Sequence, residues 1–161
     1  MRAAILTVST GVAAGVREDE SGRALAELAA AAGAQIAVRG LVRDDAAEIE
    51  TWLREHVAAG IELIFTTGGT GFTPDDVTPE ATRAVIERHA PGIAEAMRIE
   101  SLKHTPMGML SRGVAGIAGA TLIVNFPGSP KAVRQLFGVI APVLGHAVGT
   151  LHRERGQPSG H

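Results

Sequence analysis

The chain has 161 residues, 45% of them hydrophobic and 20% charged, with a formal net charge of −2. That length fits one domain around one core, and the near-neutral balance provides no basic field to attract nucleic acid. Cysteine is absent, which removes disulfides, thiolate nucleophiles and cysteine-based metal centres. No apolar run is read as reaching the ~20 residues of a membrane helix, so a cytoplasmic protein without a membrane partner is expected.

Residues 3–8 form a short apolar run closed by Ser9-Thr10-Gly11, the pattern of a strand buried on both faces of a parallel sheet. A loop over 10–20 leads to a helix predicted to start at Ser21. It buries Leu25, Leu28, Ala29 and Ala32, with Gly33 at its C-terminal cap. A second strand is expected over 35–42, less apolar because of Arg39. Asp44 or Asp45 caps the next helix, whose inner face is Ile49, Trp52, Leu53 and Val57 and which ends at Gly60. Residues 61–65 read as a third strand. Strands and helices alternating at this spacing give right-handed βαβ units, a parallel sheet and an α/β fold.

Thr78-Pro79 pairs a capping hydroxyl with proline at the first helical position, for a helix running to about His89, and Pro91 opens another. Residues 101–119 are interrupted by Pro106, Gly108, Gly113, Gly116 and Gly119, with a short strand over 114–117 as their one readable element. Residues 121–124 read as a further buried strand, and Ser129-Pro130 repeats the capped, proline-started helix opening. That last helix carries Val133, Leu136, Phe137, Ile140, Val143, Leu144, Val148 and Leu151 on a helical repeat and is predicted to bend at Pro142. Residues 1–152 thus read as one domain, with 153–161 a polar, flexible tail.

Ligands of an open parallel sheet bind beyond the carboxyl ends of its strands, which directs attention to three loops. The richest is Thr66-Thr67-Gly68-Gly69-Thr70-Gly71, where glycines let backbone N–H groups converge and hydroxyls add donors, as in an anion nest. It matches neither GxGxxG nor GxxxxGK[ST], and the same glycines could equally serve a tight packing turn. Asp75-Asp76 follows directly. Carboxylates beside a polyphosphate require a cation between them, and Mg²⁺, which takes one or two carboxylates plus phosphate and water, suits Asp76 with Asp44; a capping role for either acid is the alternative. Ser129-Pro130 presents a helix N-terminus at the same sheet edge, as an anion site or a plain cap. The six histidines have no metal-ligand spacing, and GxSxG is absent.

These residues, with Asp76-Val77-Thr78-Pro79-Glu80-Ala81-Thr82, Pro91-Gly92, Leu110-Ser111-Arg112 and Asn125-Phe126-Pro127-Gly128-Ser129-Pro130-Lys131, resemble the molybdopterin adenylyltransferase (MogA/MoaB) family of molybdenum cofactor biosynthesis. Ser9 and the stretch from Asp19 to Gly22 also fit, so the resemblance covers nearly the whole chain. It implies a three-layer αβα fold with a mostly parallel central sheet, in a homotrimer or homohexamer that transfers AMP from Mg-ATP to the terminal phosphate of molybdopterin. It further implies that Thr67, Gly68, Gly69, Thr70 and Gly71 hold nucleotide phosphates, that Asp44 and Asp76 are the catalytic and metal-holding acids, and that Ser9, Ser111, Asn125, Pro127, Gly128 and Ser129 face the pterin. Other proteins of the pathway are its implied partners. Where the family commonly has an aspartate after the first-strand serine, this chain has Thr10. A pterin-binding scaffold without turnover, or a generic nucleotide hydrolase, are the competing functions on the same fold.

Overall fold

The computed structural model describes residues 1–153 and Gly156; the remainder of the expected tail lies outside the described residues. Six strands form one sheet. They are β1 (Arg2–Val8), β2 (Gln35–Val42), β3 (Leu63–Thr67), β4 (Arg88–His89), β5 (Ala115–Ala118) and β6 (Thr121–Phe126), in the spatial order β2-β1-β3-β6-β5-β4. β2, β1, β3 and β6 are mutually parallel, whereas β5 runs antiparallel to β6 and β4 antiparallel to β5. From β1 the chain moves outward to β2 and then returns past β1 to β3, so the order reverses beside β1, where a ligand crevice is expected.

Both faces are covered, as a parallel sheet requires. Ala3, Ile5, Leu63, Phe65, Leu122, Val124 and Phe126 point to the face covered by α2 (Glu20–Ala31), α5 (Pro91–Leu102), α6 (Pro130–Ile140) and α7 (Leu144–Leu151). Ala4, Leu6, Val8, Ile64 and Ile123 point to the other, under α3 (Ala46–Ala58) and α4 (Thr78–Val85). The expected three-layer αβα architecture is therefore present. Phe65, Phe126 and Phe137 form an aromatic cluster with ring centroids 5.6 to 6.0 Å apart. Burying a phenylalanine contributes about 1.5–3 kcal/mol, and two of these rings anchor β3 and β6 immediately below the loops that leave them.

Several boundaries differ from the sequence reading, each for a local reason. Residues expected as loop after β1 include a helical turn, α1 (Thr10–Ala13), capped by Ser9. α2 begins before Ser21 because the Asp19 side chain accepts from Gly22 N at 3.0 Å, leaving Ser21 buried in the first turn. α3 is capped by Asp45, not Asp44. β3 and β6 each run two residues further than expected. α4 stops at Val85 because Ile86 turns extended and the chain then pairs with β5, as Glu87 N bonds to Ile117 O. Thr78 does not cap α4; its hydroxyl donates to Gly68 O at 2.9 Å. The last helix breaks into a 3₁₀ turn at Ala141–Val143, around Pro142. By length and composition alone Pro130–Leu151 could cross a membrane, contrary to the sequence reading. Here Val133, Leu136, Phe137, Ile140, Leu144 and Val148 are buried against the sheet, along one face of the segment.

Candidate functional site

The carboxyl ends of β1, β3 and β6 meet at one edge of the sheet, and Asn125 joins two of them. Its side chain is 4% exposed. Nδ2 donates to Thr66 Oγ1 at 2.9 Å and to Thr82 Oγ1 at 3.0 Å, and Oδ1 accepts from Val114 N at 3.1 Å. A buried amide with partners at both ends is a fixed tie between strands, so Asn125 forms a wall of the site with its hydrogen-bonding groups already engaged.

The glycine loop turns its carbonyls into the protein. Gly68 O accepts from Thr78 Oγ1, Gly69 O from Thr78 N at 3.1 Å, Thr70 O from Arg112 N at 2.9 Å, and Gly71 O from Arg112 Nε at 2.7 Å. The amides of Gly69, Thr70, Gly71 and Phe72 have no protein acceptor among the described residues, which is the anion-nest arrangement. Gly68 and Gly69 take φ of +99° and +68°, values that side-chain-bearing residues rarely adopt. A Cβ at Gly68 would meet Val8 O, and one at Gly69 would meet Thr78 Oγ1. Gly68 also packs directly on Gly128, and Thr67 Oγ1 donates to Pro127 O at 2.7 Å. Two backbones thus form a low saddle.

A cleft lies on each side of that saddle, and Gly69, Asp76 and Gly128 border both. The larger, of about 510 Å³, is mainly apolar, lined by Phe72, Met97, Met107, Leu110 and Leu136 with Arg98, Ser111 and Ser129 among them. The smaller, of about 420 Å³, is polar and holds Ser9, Arg17, Asp44, Thr67, Gly68 and Pro130. Among the expected residues, Asp44, Ser9 and Thr67 therefore face the polar cleft; Thr70, Gly71, Ser111, Asn125, Pro127 and Ser129 face the apolar one.

Asp44 is free to face the cleft because Asp45 takes the capping role. Its Oδ2 accepts from Thr10 N and Thr10 Oγ1, both at 2.9 Å. Asp76 Oδ2 accepts from Thr73 N at 2.9 Å and Thr73 Oγ1 at 2.8 Å. In each acid Oδ1 has no protein hydrogen-bond partner among the described residues. No group of three or more potential metal-ligating side chains occurs among the described residues, so an all-protein cage does not fit. Two half-engaged carboxylates do fit Mg²⁺, which completes its shell with phosphate and water.

Arg98 and Arg112, like Arg17 in the polar cleft, escaped the sequence reading of the site. Arg98 on α5 donates through Nη1 to Gly113 O at 2.8 Å and Ser111 O at 3.4 Å, and it lines the apolar cleft. Arg112 pairs with Glu80 and also bonds Gly71 O and Asp76 O. The Arg112 hydrogen bond is the main reason that Glu80 is held below the usual glutamate range, and Glu80 in turn raises Arg112. Only the Leu110-Ser111-Arg112 motif pointed to Arg112, and no local periodicity marked Arg98.

Residues 4–146 match the family described as a probable molybdopterin binding domain. The chain belongs to this family. The crystal structure of the molybdopterin biosynthesis enzyme MoaB from Thermus thermophilus, 46% identical, superposes with a TM-score of 0.88 over 93% of this chain and 95% of that one. The molybdenum cofactor synthesis protein cinnamon of Drosophila melanogaster is 43% identical over 146 residues, 89% of this chain and 24% of that protein. The molybdopterin adenylyltransferase of Haemophilus influenzae is 47% identical over 96 residues, 59% of this chain and 49% of that protein. The chain thus spans about a quarter to a half of these two curated relatives.

Proposed function

We propose that the protein acts in molybdenum cofactor biosynthesis as a molybdopterin adenylyltransferase, moving AMP from Mg-ATP to the terminal phosphate of molybdopterin with release of pyrophosphate. The observation that carries this reading is the set of backbone amides at Gly69 to Phe72 that have no protein acceptor among the described residues, with Gly69 bordering both clefts and Thr70, Gly71 and Phe72 bordering the apolar one. A triphosphate suits the polar side and a pterin ring the apolar side, and the two reactants meet end to end across the saddle.

In this reading an oxygen of the pterin phosphate attacks the α-phosphorus of ATP in line. The new P–O bond forms as the bond from that phosphorus to the α,β-bridging oxygen breaks, and pyrophosphate departs. The loop amides, with Thr67 and Thr70, hold the phosphates and donate to the charge that develops on the equatorial oxygens. Asp44 and Asp76 would hold Mg²⁺, which when bound neutralises charge on the triphosphate. Thr10 fixes the Asp44 carboxylate through two hydrogen bonds, which supplies in this chain an anchoring contact from the first loop. Ser111, Pro127, Gly128 and Ser129 shape the acceptor side, Asn125 holds its wall, and Ser9 borders the polar cleft. No side chain serves as a covalent nucleophile. A cytoplasmic homotrimer or homohexamer that contacts other proteins of the pathway belongs to the same proposal.

Incubation with molybdopterin, ATP and MgCl₂, followed by mass spectrometry, tests it. Adenylated pterin is expected from the native chain and a loss of at least ~100-fold in its rate from Asp76→Asn, the scale seen when a group acting on developing charge is removed. Pterin binding without ATP consumption would replace this reading with a scaffold, and phosphate release without pterin would replace it with a hydrolase.

A further inference from the structure

We infer that Arg112 is the positioning residue that sets Asp76 and the outer half of the glycine loop. Its backbone amide donates to Thr70 O at 2.9 Å, Nε to Gly71 O at 2.7 Å and Nη2 to Asp76 O at 2.6 Å, while Nη1 pairs with Glu80 on α4. One guanidinium therefore grips both ends of the segment 71–76 and ties them to the following helix. Inside that segment, Thr73 donates twice to Asp76 Oδ2, and Asp76 N donates to Thr73 O at 3.0 Å. Among the described residues, the bonds from Arg112 are the only hydrogen bonds that leave the segment. Arg112 borders neither cleft, so it acts through Asp76 and not on a ligand. Lysine, with one compact ammonium, cannot serve three diverging acceptors in the plane of a fork.

The kinetic consequence rests on the adenylyl-transfer reading; the geometric consequence does not, and the experiment separates them. In Arg112→Lys, hydrogen exchange of the peptide covering 71–77 is expected to accelerate about 10-fold or more while other peptides keep their rates. The rate constant kcat is expected to fall about 10- to 100-fold with KM for ATP within about threefold and an unchanged unfolding midpoint. Adding Arg112→Lys to Asp76→Asn is expected to change kcat by less than about twofold, because residues acting as one unit are non-additive. Native exchange in the 71–77 peptide, a native kcat, or additive losses in the double variant each overturn the inference. If the native chain transfers no AMP, the adenylyltransferase reading has failed and the exchange result alone decides for or against Arg112. Should Arg112→Lys not fold, Glu80→Gln weakens the same contact from its surface end. A local rise in exchange then supports the inference, and its absence overturns it.

Discussion

Asn125 and Glu80 show how single side chains hold the frame of the site through hydrogen bonds to the protein itself. Truncating Asn125 leaves Val114 N and two buried threonine hydroxyls without their partner, at about 1–3 kcal/mol for each buried group left unsatisfied. Asn125→Ala is therefore expected to lower stability by about 3 kcal/mol or more, read from the midpoint of urea unfolding. An Asn125→Ala protein of native stability would refute the tie. Glu80 gives a pH dependence. A carboxylate with a depressed folded pKa contributes stability fully above the unfolded value, about 4.3 for glutamate, and loses it as pH falls through the lower folded value. Half of the Glu80 side chain is exposed, so the effect is small and screened by salt. Thermal midpoints of the native chain should decline more steeply than those of Glu80→Gln as the pH drops below about 4.3; parallel curves would count against the Glu80–Arg112 contact.

At the scale of elements, the turn from β3 to α4 is set by backbone geometry that a methyl group disrupts. Gly69→Ala requires alanine at φ +68° and pushes a Cβ against Thr78 Oγ1. The left-handed conformation alone costs about 1–2 kcal/mol, and loss of the Thr78 hydroxyl bond to Gly68 adds to it. Weaker binding of AMP by calorimetry is expected together with that destabilisation. Much of this layer was legible in sequence. Fully buried strands announce themselves as short apolar runs, and Ser129-Pro130 opens α6 as its residues dictate. What was not legible depends on tertiary partners. Thr78 looks like a cap, yet its hydroxyl is drawn to the Gly68 carbonyl ten residues earlier. Asp44 and Asp45 are indistinguishable in sequence, and only the contact with Thr10 separates the site acid from the cap. Residues 101–119 lack a period because distant partners set their path: Arg98 donates to the carbonyls of Ser111 and Gly113, and the amide of Arg112 donates to Thr70 O.

Across the whole molecule, the site edge and the core are mechanically one object. Phe65 directly precedes Thr66-Thr67, Phe126 directly precedes Pro127, and both rings pack with Phe137 of α6. Phe137→Ala is expected to cost about 3–5 kcal/mol and to shift a single cooperative transition seen alike by fluorescence of Trp52 and by circular dichroism. Separate transitions for the two probes would show that the two sides of the sheet unfold independently.

The backbone saddle at Gly68 and Gly128 carries a consequence for how this architecture can change. The partition between the clefts includes the close backbone contact of Gly68 with Gly128, while residues 94–111 contribute Ala94, Met97, Met107 and Leu110 to the apolar cleft and nothing to the polar one. The two halves can therefore vary separately. Substitutions at Met97, Met107 or Leu110 would reshape the apolar cleft while leaving the lining of the polar one as it is, so what each cleft admits can change by altering a single wall.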